Sequence, residues 1–242
     1  MIYDNQAFKL HQALLELRSP NLMNTQMLRV FSDFFKIDEN NPAEILENIA
    51  KLHKQILEIK LFCNGTISLE KQFNKWSKPI NQAFLNVNLL TRHSQFINSY
   101  TDEHLFLLET THDALVEKYQ SYKIIDQQTL DGLILNLSNQ LNSILESNAS
   151  EKVKNYIYIQ ITSLIKNIKE YNLYGIKEIH QSIDETIGHI ITDQEYSSYI
   201  KQTSEGKSFL DELLKVGAVL QILESGSQIA LNFQQIIQQL PN

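Results

Sequence analysis

The sequence is poor in residues that break helices or crosslink a chain. It contains 7 Gly and 4 Pro among 242 residues, and its single cysteine is Cys63. Few glycines and prolines favour long helices joined by short connections. One cysteine excludes an intramolecular disulfide, so the fold must depend on its apolar core, and nothing points to an oxidising compartment.

Motifs of the commonest enzyme classes are also missing. The sequence has no glycine-rich phosphate-binding loop, no Gly-x-Ser-x-Gly nucleophile elbow and no pair of cysteines that could hold structural zinc. These absences disfavour nucleotide-dependent enzymes, hydrolases of the elbow type and small zinc modules. We therefore expect a protein without a cofactor, and the sequence favours a non-enzymatic role.

Membrane and targeting segments are not recognisable either. A helix that spans a bilayer needs about 18 or more uncharged apolar residues in a row, and the sequence contains no such run. The N-terminal segment MIYDNQAFKLHQ lacks the basic start and apolar run of a signal peptide. Lysine far outnumbers arginine, and asparagine and glutamine are abundant, which we interpret as the compositional bias of a bacterial source. We expect a cytoplasmic protein.

The charge balance is acidic, with a net charge of −7 and a sequence pI near 5.5. Binding to free nucleic acid depends on clustered Lys and Arg, so nucleic acid is not an expected partner. Anionic membrane surfaces are disfavoured for the same reason. A basic protein remains compatible with this charge.

The strongest positive signal is an apolar ladder with alternating steps of four and three residues. Such spacing places all members of a ladder on one stripe of a helix. The three clearest ladders are Ile45, Ile49, Leu52, Ile56 and Ile59; Leu105, Leu108, His112, Leu115 and Tyr119; and Leu130, Ile134, Leu137, Leu141 and Ile144. The sequence therefore predicts an all-α fold, an antiparallel bundle of about nine to ten helices, several of coiled-coil length.

Local start and stop signals set the expected helix boundaries. Asn41, Pro42 and Glu44 form the clearest helix start, and Ser150 is expected to cap another helix. Pro79 is expected to kink or split the helix that contains it. The predicted helices cover residues 4–18, 23–36, 42–62, 68–87, 101–122, 127–147, 151–174, 176–191, 208–224 and 228–240, with a looser piece up to 203.

No linker rich in Pro, Gly or Ser divides the chain. We predict a single helical domain over residues 1–242. If a seam exists, 147–150 is the best candidate, with an N-terminal bundle over 1–147 and C-terminal helices over 150–242.

Histidines and carboxylates on two predicted helices are the candidate metal ligands. Glu109-x-x-His112 has the spacing by which di-iron bundles bring two ligands to one metal, and His104 lies on the same helix. Only one such pair is visible, and His112 lies on an apolar stripe, so a core histidine is the favoured interpretation. The alternative is a metal-dependent helical-bundle enzyme. It would gain support if His112 and His180 lay close together in the fold.

Glu109, Asp113 and Glu117 form an acidic stripe with a period of four residues. Like charges at this spacing repel one another, so the stripe is either incidental or a negative surface for a cationic partner. Our leading hypothesis is a non-enzymatic bacterial protein-interaction module, within which we favour an immunity, antitoxin or phage-defence accessory protein that binds a basic protein. An effector or scaffold protein is a further alternative, and the helical faces could also support oligomerisation.

Overall fold

The computed structural model describes residues 6–119 and 125–223, and every regular element in these ranges is helical. The predicted all-α fold is therefore confirmed. Within the described residues the α-helices are α1 (Gln6–Leu17), α2 (Met27–Phe35), α3 (Pro42–Cys63), α4 (Ile67–Leu85), α5 (Ser94–Ile97), α6 (Asp102–Tyr119), α7 (Gln127–Glu146), α8 (Glu151–Lys169), α9 (Tyr171–Tyr174), α10 (Lys177–Thr192), α11 (Gln194–Gln202) and α12 (Ser204–Leu223). The helix predicted at 228–240 lies outside these ranges.

None of the described helices combines the length and the apolar content needed to cross a membrane. Their longest members instead carry an apolar stripe on one side and polar residues on the other. In α3, for example, all five residues of the predicted ladder are buried. Apolar side chains of this kind gain about 25 cal/mol per Å² when they leave water, so each helix is held by the stripe it buries.

Contacts divide the chain into two compact units, and the division falls between α6 and α7. The first unit contains α1–α6 and the second contains α7–α12. Residues 147–150, the candidate seam, form the turn between α7 and α8, which pack against each other inside the second unit. The single domain over 1–242 stays a prediction.

The core of the first unit forms around α4, which packs against both α3 and α6, while α1 packs against α3 and α6. Trp76 on α4 is fully buried, and its indole N–H donates to Thr111 Oγ1 on α6 over 3.0 Å. Buried tryptophan needs such an acceptor because an unpaired N–H in an apolar core is costly. The Trp76–Thr111 bond therefore fixes α6 against α4.

Pro79 does not split α4, which runs without interruption from Ile67 to Leu85. A proline inside a helix removes one backbone hydrogen bond and costs about 3 kcal/mol. Trp76 and Ile80 flank Pro79 and are both fully buried, and Phe84 lies one turn further on at 5% exposure. Burial of these side chains on the same helix face offsets the backbone loss.

The second unit buries a core made mainly of isoleucine and leucine. In it α7 packs on α8 and α12, and α10 packs on α8 and α11. The sequence predicted a looser piece before residue 203, and this prediction was wrong, because α11 covers Gln194–Gln202. The side chain of Asp193 caps α11 by accepting from the backbone N–H of Tyr196 over 3.1 Å.

The two strongest predicted helix starts are confirmed. At the start of α3, Asn41 Oδ1 accepts from the Glu44 backbone N–H at 3.4 Å, and the Asn41 amide donates to the Glu44 carboxylate at 2.7 Å. At the start of α8, Ser150 Oγ accepts from the Val153 backbone N–H at 3.3 Å. These bonds satisfy N–H groups that have no partner within the helix.

Replacing Ser150 with alanine should lower the free energy of unfolding by about 0.5–2 kcal/mol, the usual loss for a removed N-cap. Ser150 Oγ also donates to the Glu195 carboxylate at 2.5 Å, so both bonds disappear together. Urea denaturation followed by far-UV circular dichroism measures the change. Thr66→Ala is the matched control, because Thr66 precedes α4 without a capping bond and its loss should change stability little.

Candidate functional site: the acidic face of α6

Helix α6 separates a buried side from a charged, exposed side. Its buried residues are Leu105, Leu108, Thr111 and Leu115, which face the other helices of the first unit. The residues on the opposite side project outward because α6 is an amphipathic helix docked by one stripe. The candidate site lies on this outward side.

The acidic face consists of Glu109, Asp113 and Glu117, and all three residues are exposed. They are one helical turn apart, so their carboxylates follow one another at intervals of about 6 Å. In the part of the chain that the structure describes, no lysine or arginine forms a salt bridge with any of them; Asp113 lies 3.7 Å from His112 Nε2. The acidic face therefore presents negative charge to solvent without an internal cation of the Lys or Arg type.

An exposed aromatic residue continues the acidic face towards the start of α6. Phe106 precedes Glu109 by one turn and is 61% exposed. Aromatic side chains are enriched at protein interfaces relative to the rest of the protein surface. Phe106 and the three carboxylates together combine an apolar contact point with a charged strip.

Two histidines lie at the edge of the acidic face, where α1 packs on α6. His11 of α1 is buried, and His112 of α6 is in ring contact with Phe8 at 5.3 Å between centroids. Burial lowers the pKa of both imidazoles, and the carboxylates of Glu109 and Asp113 act in the opposite direction. The structure thus brings Glu109, His112 and Asp113 together with His11, a partner that the sequence pattern did not reveal.

His104 has a separate role at the first turn of α6. Its Nδ1 accepts from the backbone N–H of Thr101 at 3.0 Å, which satisfies one backbone group at the helix start. His180 belongs to α10 in the second unit, whereas the other three candidate ligands belong to the first. Among residues 6–119 and 125–223, no group of three or more His, Cys, Asp or Glu side chains is arranged to hold a metal ion.

Thr111 rather than His112 occupies the most buried position in the middle of α6. Thr111 is completely buried, while the His112 side chain is 17% exposed. His112 thus lies at the edge of the buried stripe, with its Nδ1 buried and its ring against Phe8. Position 111 is occupied by a hydroxyl because Trp76 across the core needs an acceptor.

A second polar cluster, also not predicted, joins three helix ends in the second unit. Lys152 Nζ contacts the Asp193 carboxylate at 2.7 Å, and His189 Nε2 lies 3.6 Å from the same carboxylate. The His189 ring stacks on Tyr156 with centroids 3.5 Å apart. The hydrogen bond from Lys152 lowers the pKa of Asp193, so this carboxylate stays charged. The cluster ties α8 to the turn between α10 and α11.

Comparisons of the chain with protein-family models, with curated proteins and with solved structures found no match.

Proposed function

We propose that this protein is a non-enzymatic interaction module that binds a basic protein partner through the acidic face of α6. The observation that carries the proposal is the exposed row of Glu109, Asp113 and Glu117, whose charges have no lysine or arginine partner within the described chain. Within this class we favour an immunity, antitoxin or phage-defence accessory protein of bacterial origin.

Electrostatics supports this choice of partner. Carboxylates one turn apart on a helix repel each other, with a cost of a few tenths of a kcal/mol per pair that a cationic partner would remove. Complementary charge also accelerates encounter and rejects partners of the wrong sign. A basic toxin whose substrate cleft carries lysine or arginine is one partner that an acidic helix can cover.

Phe106 supplies the apolar part of the proposed interface. Binding energy in protein interfaces is concentrated in a few buried anchors, often aromatic, with charged residues around them. Phe106 is exposed at 61% and lies on the same side of α6 as Glu109 and Asp113. Covering its ring on binding would therefore add affinity to the specificity that the carboxylates provide.

The test is capture of partners from source-cell lysate with two variants of equal net charge. The first carries Glu109→Gln, Asp113→Asn and Glu117→Gln. The matched control carries Asp184→Asn, Glu185→Gln and Asp211→Asn, which neutralise three exposed carboxylates of the second unit. We expect wild type and control to retain a basic protein that the first variant binds at least about tenfold more weakly.

Phe106→Ala should weaken the same complex by about 2 kcal/mol, measured by calorimetry with the captured protein. Raising the salt concentration should weaken wild-type binding more than binding by the first variant, because screening acts on the charges that the variant lacks. Equal retention of every protein by wild type and the neutralised variant would refute the proposed interface.

A further inference from the structure

His93 lies completely inside the first unit, in the segment between α4 and α6. Its Nε2 donates to the backbone carbonyl of Leu17 at 2.6 Å. Leu17 is the last residue of α1, so its carbonyl oxygen accepts no hydrogen bond from within that helix. His93 therefore caps α1 across a sequence separation of 76 residues.

The backbone around His93 joins the same parts of the chain. His93 N–H donates to the Thr25 carbonyl at 2.9 Å, and Met27 N–H donates to the Thr91 carbonyl at 2.9 Å. The second of these bonds satisfies an N–H at the start of α2. Three pieces of the first unit, namely the end of α1, the start of α2 and the segment before α5, thus meet at His93.

Among the residues that the structure describes, none forms a hydrogen bond with the other ring nitrogen of His93. Nδ1 is buried, and the imidazole lies against two apolar rings, stacked on Phe96 at 5.7 Å and edge-on to Phe31 at 6.2 Å. A proton on Nδ1 would create a buried charged donor with no acceptor among the described residues. The neutral form, with its proton on Nε2, is the form that this site accommodates.

Within the described residues, no carboxylate acts on the pKa of His93, so none compensates such a charge. The titratable and charged groups on the elements that meet at His93 are Lys9, His11, Glu16 and Arg18 in and after α1, Arg29 and Asp33 on α2, Arg92 and Tyr100 in the His93 segment, and Asp102 at the start of α6. Asp102 is paired with Arg18, and Arg29 lies 3.9 Å from Glu39. Burial lowers the pKa of His93, and the bond to Leu17, which acts in the opposite direction, does not outweigh burial.

We infer that His93 is an acid-sensitive contact whose protonation releases the end of α1 from the segment between α4 and α6. A histidine that must be neutral when folded stabilises the fold above the pKa of a free imidazole, about 6.5, and loses this contribution as the pH falls below it. Since one proton is taken up on opening, the opening constant rises by up to about tenfold per pH unit in that window.

Hydrogen exchange of the full-length protein, followed by mass spectrometry at about pH 7.5 and about pH 5, tests this inference. After correction for the intrinsic pH dependence of exchange, peptides from α1, residues 23–31 and residues 89–97 should lose protection at the lower pH. His93→Gln keeps a donor for the Leu17 carbonyl but cannot be protonated, so residues 23–31 and 89–97 should lose less protection at the lower pH than in wild type. His11 and His112 lie outside the Leu17 contact, so His11→Gln and His112→Gln should retain the loss of protection at residues 23–31 and 89–97.

A second measurement covers the case in which His93→Gln fails to fold. In wild-type protein, NMR of the ring carbons should show His93 neutral well below about pH 6.5, the pKa of a free imidazole, and its titration should coincide with the loss of α1 protection. Unchanged protection at about pH 5 would overturn the inference. An undiminished loss of protection at residues 23–31 and 89–97 in His93→Gln, or its disappearance in His11→Gln, would assign the effect to another group and overturn the inference as well.

Discussion

Replacing Gly206 with alanine should destabilise the protein by about 3 kcal/mol, the upper range for overpacking in a close-packed interior. Gly206 lies in the first turn of α12, where the end of α11 passes directly over it. An alanine Cβ would lie 2.6 Å from Ile200 Cα and would also press on the Tyr199 carbonyl oxygen. Both neighbours are backbone atoms, which cannot move aside by a change of rotamer.

Gly132→Ala is the matched control and should have the opposite sign. Gly132 lies inside α7, and no atom of the described residues approaches the position of its Cβ within 4 Å. Alanine there reduces the freedom of the unfolded chain and should stabilise the protein by about 0.5–1 kcal/mol. Urea unfolding monitored by far-UV circular dichroism compares the two variants with wild type. Equal stability of Gly206→Ala and wild type would contradict the close contact between α11 and α12.

Truncating Trp76 to alanine should cost about 3–5 kcal/mol, the usual range for removing a large aromatic side chain from a core. Trp76 is fully buried, meets the ring of Phe73 edge-on at 5.0 Å and donates to Thr111. The cavity left behind would lie between α4 and α6. Unfolding should be followed by circular dichroism, because Trp76 is the single tryptophan of the chain and the variant has no tryptophan fluorescence to monitor.

Two further variants separate the contribution of burying an aromatic ring from that of the Trp76–Thr111 hydrogen bond. Phe106→Ala removes an aromatic ring that is 61% exposed, so it should change stability by no more than about 0.5 kcal/mol. Thr111→Val keeps the shape of the side chain but leaves the Trp76 indole N–H without an acceptor, which should cost about 1–3 kcal/mol. In this variant Trp76 fluorescence can report unfolding. A Thr111→Val protein as stable as wild type would show that the hydrogen bond contributes nothing.

Much of the fold was predictable because its helices are long and their caps are local. Asn41 and Ser150 act within three residues of their own positions, so the sequence alone identified both helix starts. Helix α11 was missed because Asp193 gave its only local start signal and its apolar face is short, with Tyr196 and Ile200 as its buried residues. The continuity of α4 through Pro79 depends on packing by other helices, which no local pattern records.

The candidate site was predictable only in part, for a geometric reason. Leu108 and Leu115 are seven residues apart, and a helical stripe can pass between them through either 111 or 112. The choice between Thr111 and His112 is made by Trp76, which is distant in sequence. The exposure of Glu109, Asp113 and Glu117 can be predicted without knowing which distant residue packs on α6, because these three residues lie opposite its apolar stripe. Its role in binding stays a prediction.

The long reach of the His93 contact also affects the order in which the first unit can assemble during synthesis. Helix α1 leaves the ribosome early, yet the group that caps its end follows 76 residues later. Closing a loop of this length is entropically unfavourable until many contacts form together. A nascent chain that ends before residue 93 therefore lacks the His93 contact that joins the end of α1 to the start of α2. Slow elongation over this stretch would keep the apolar stripes of both helices exposed for longer.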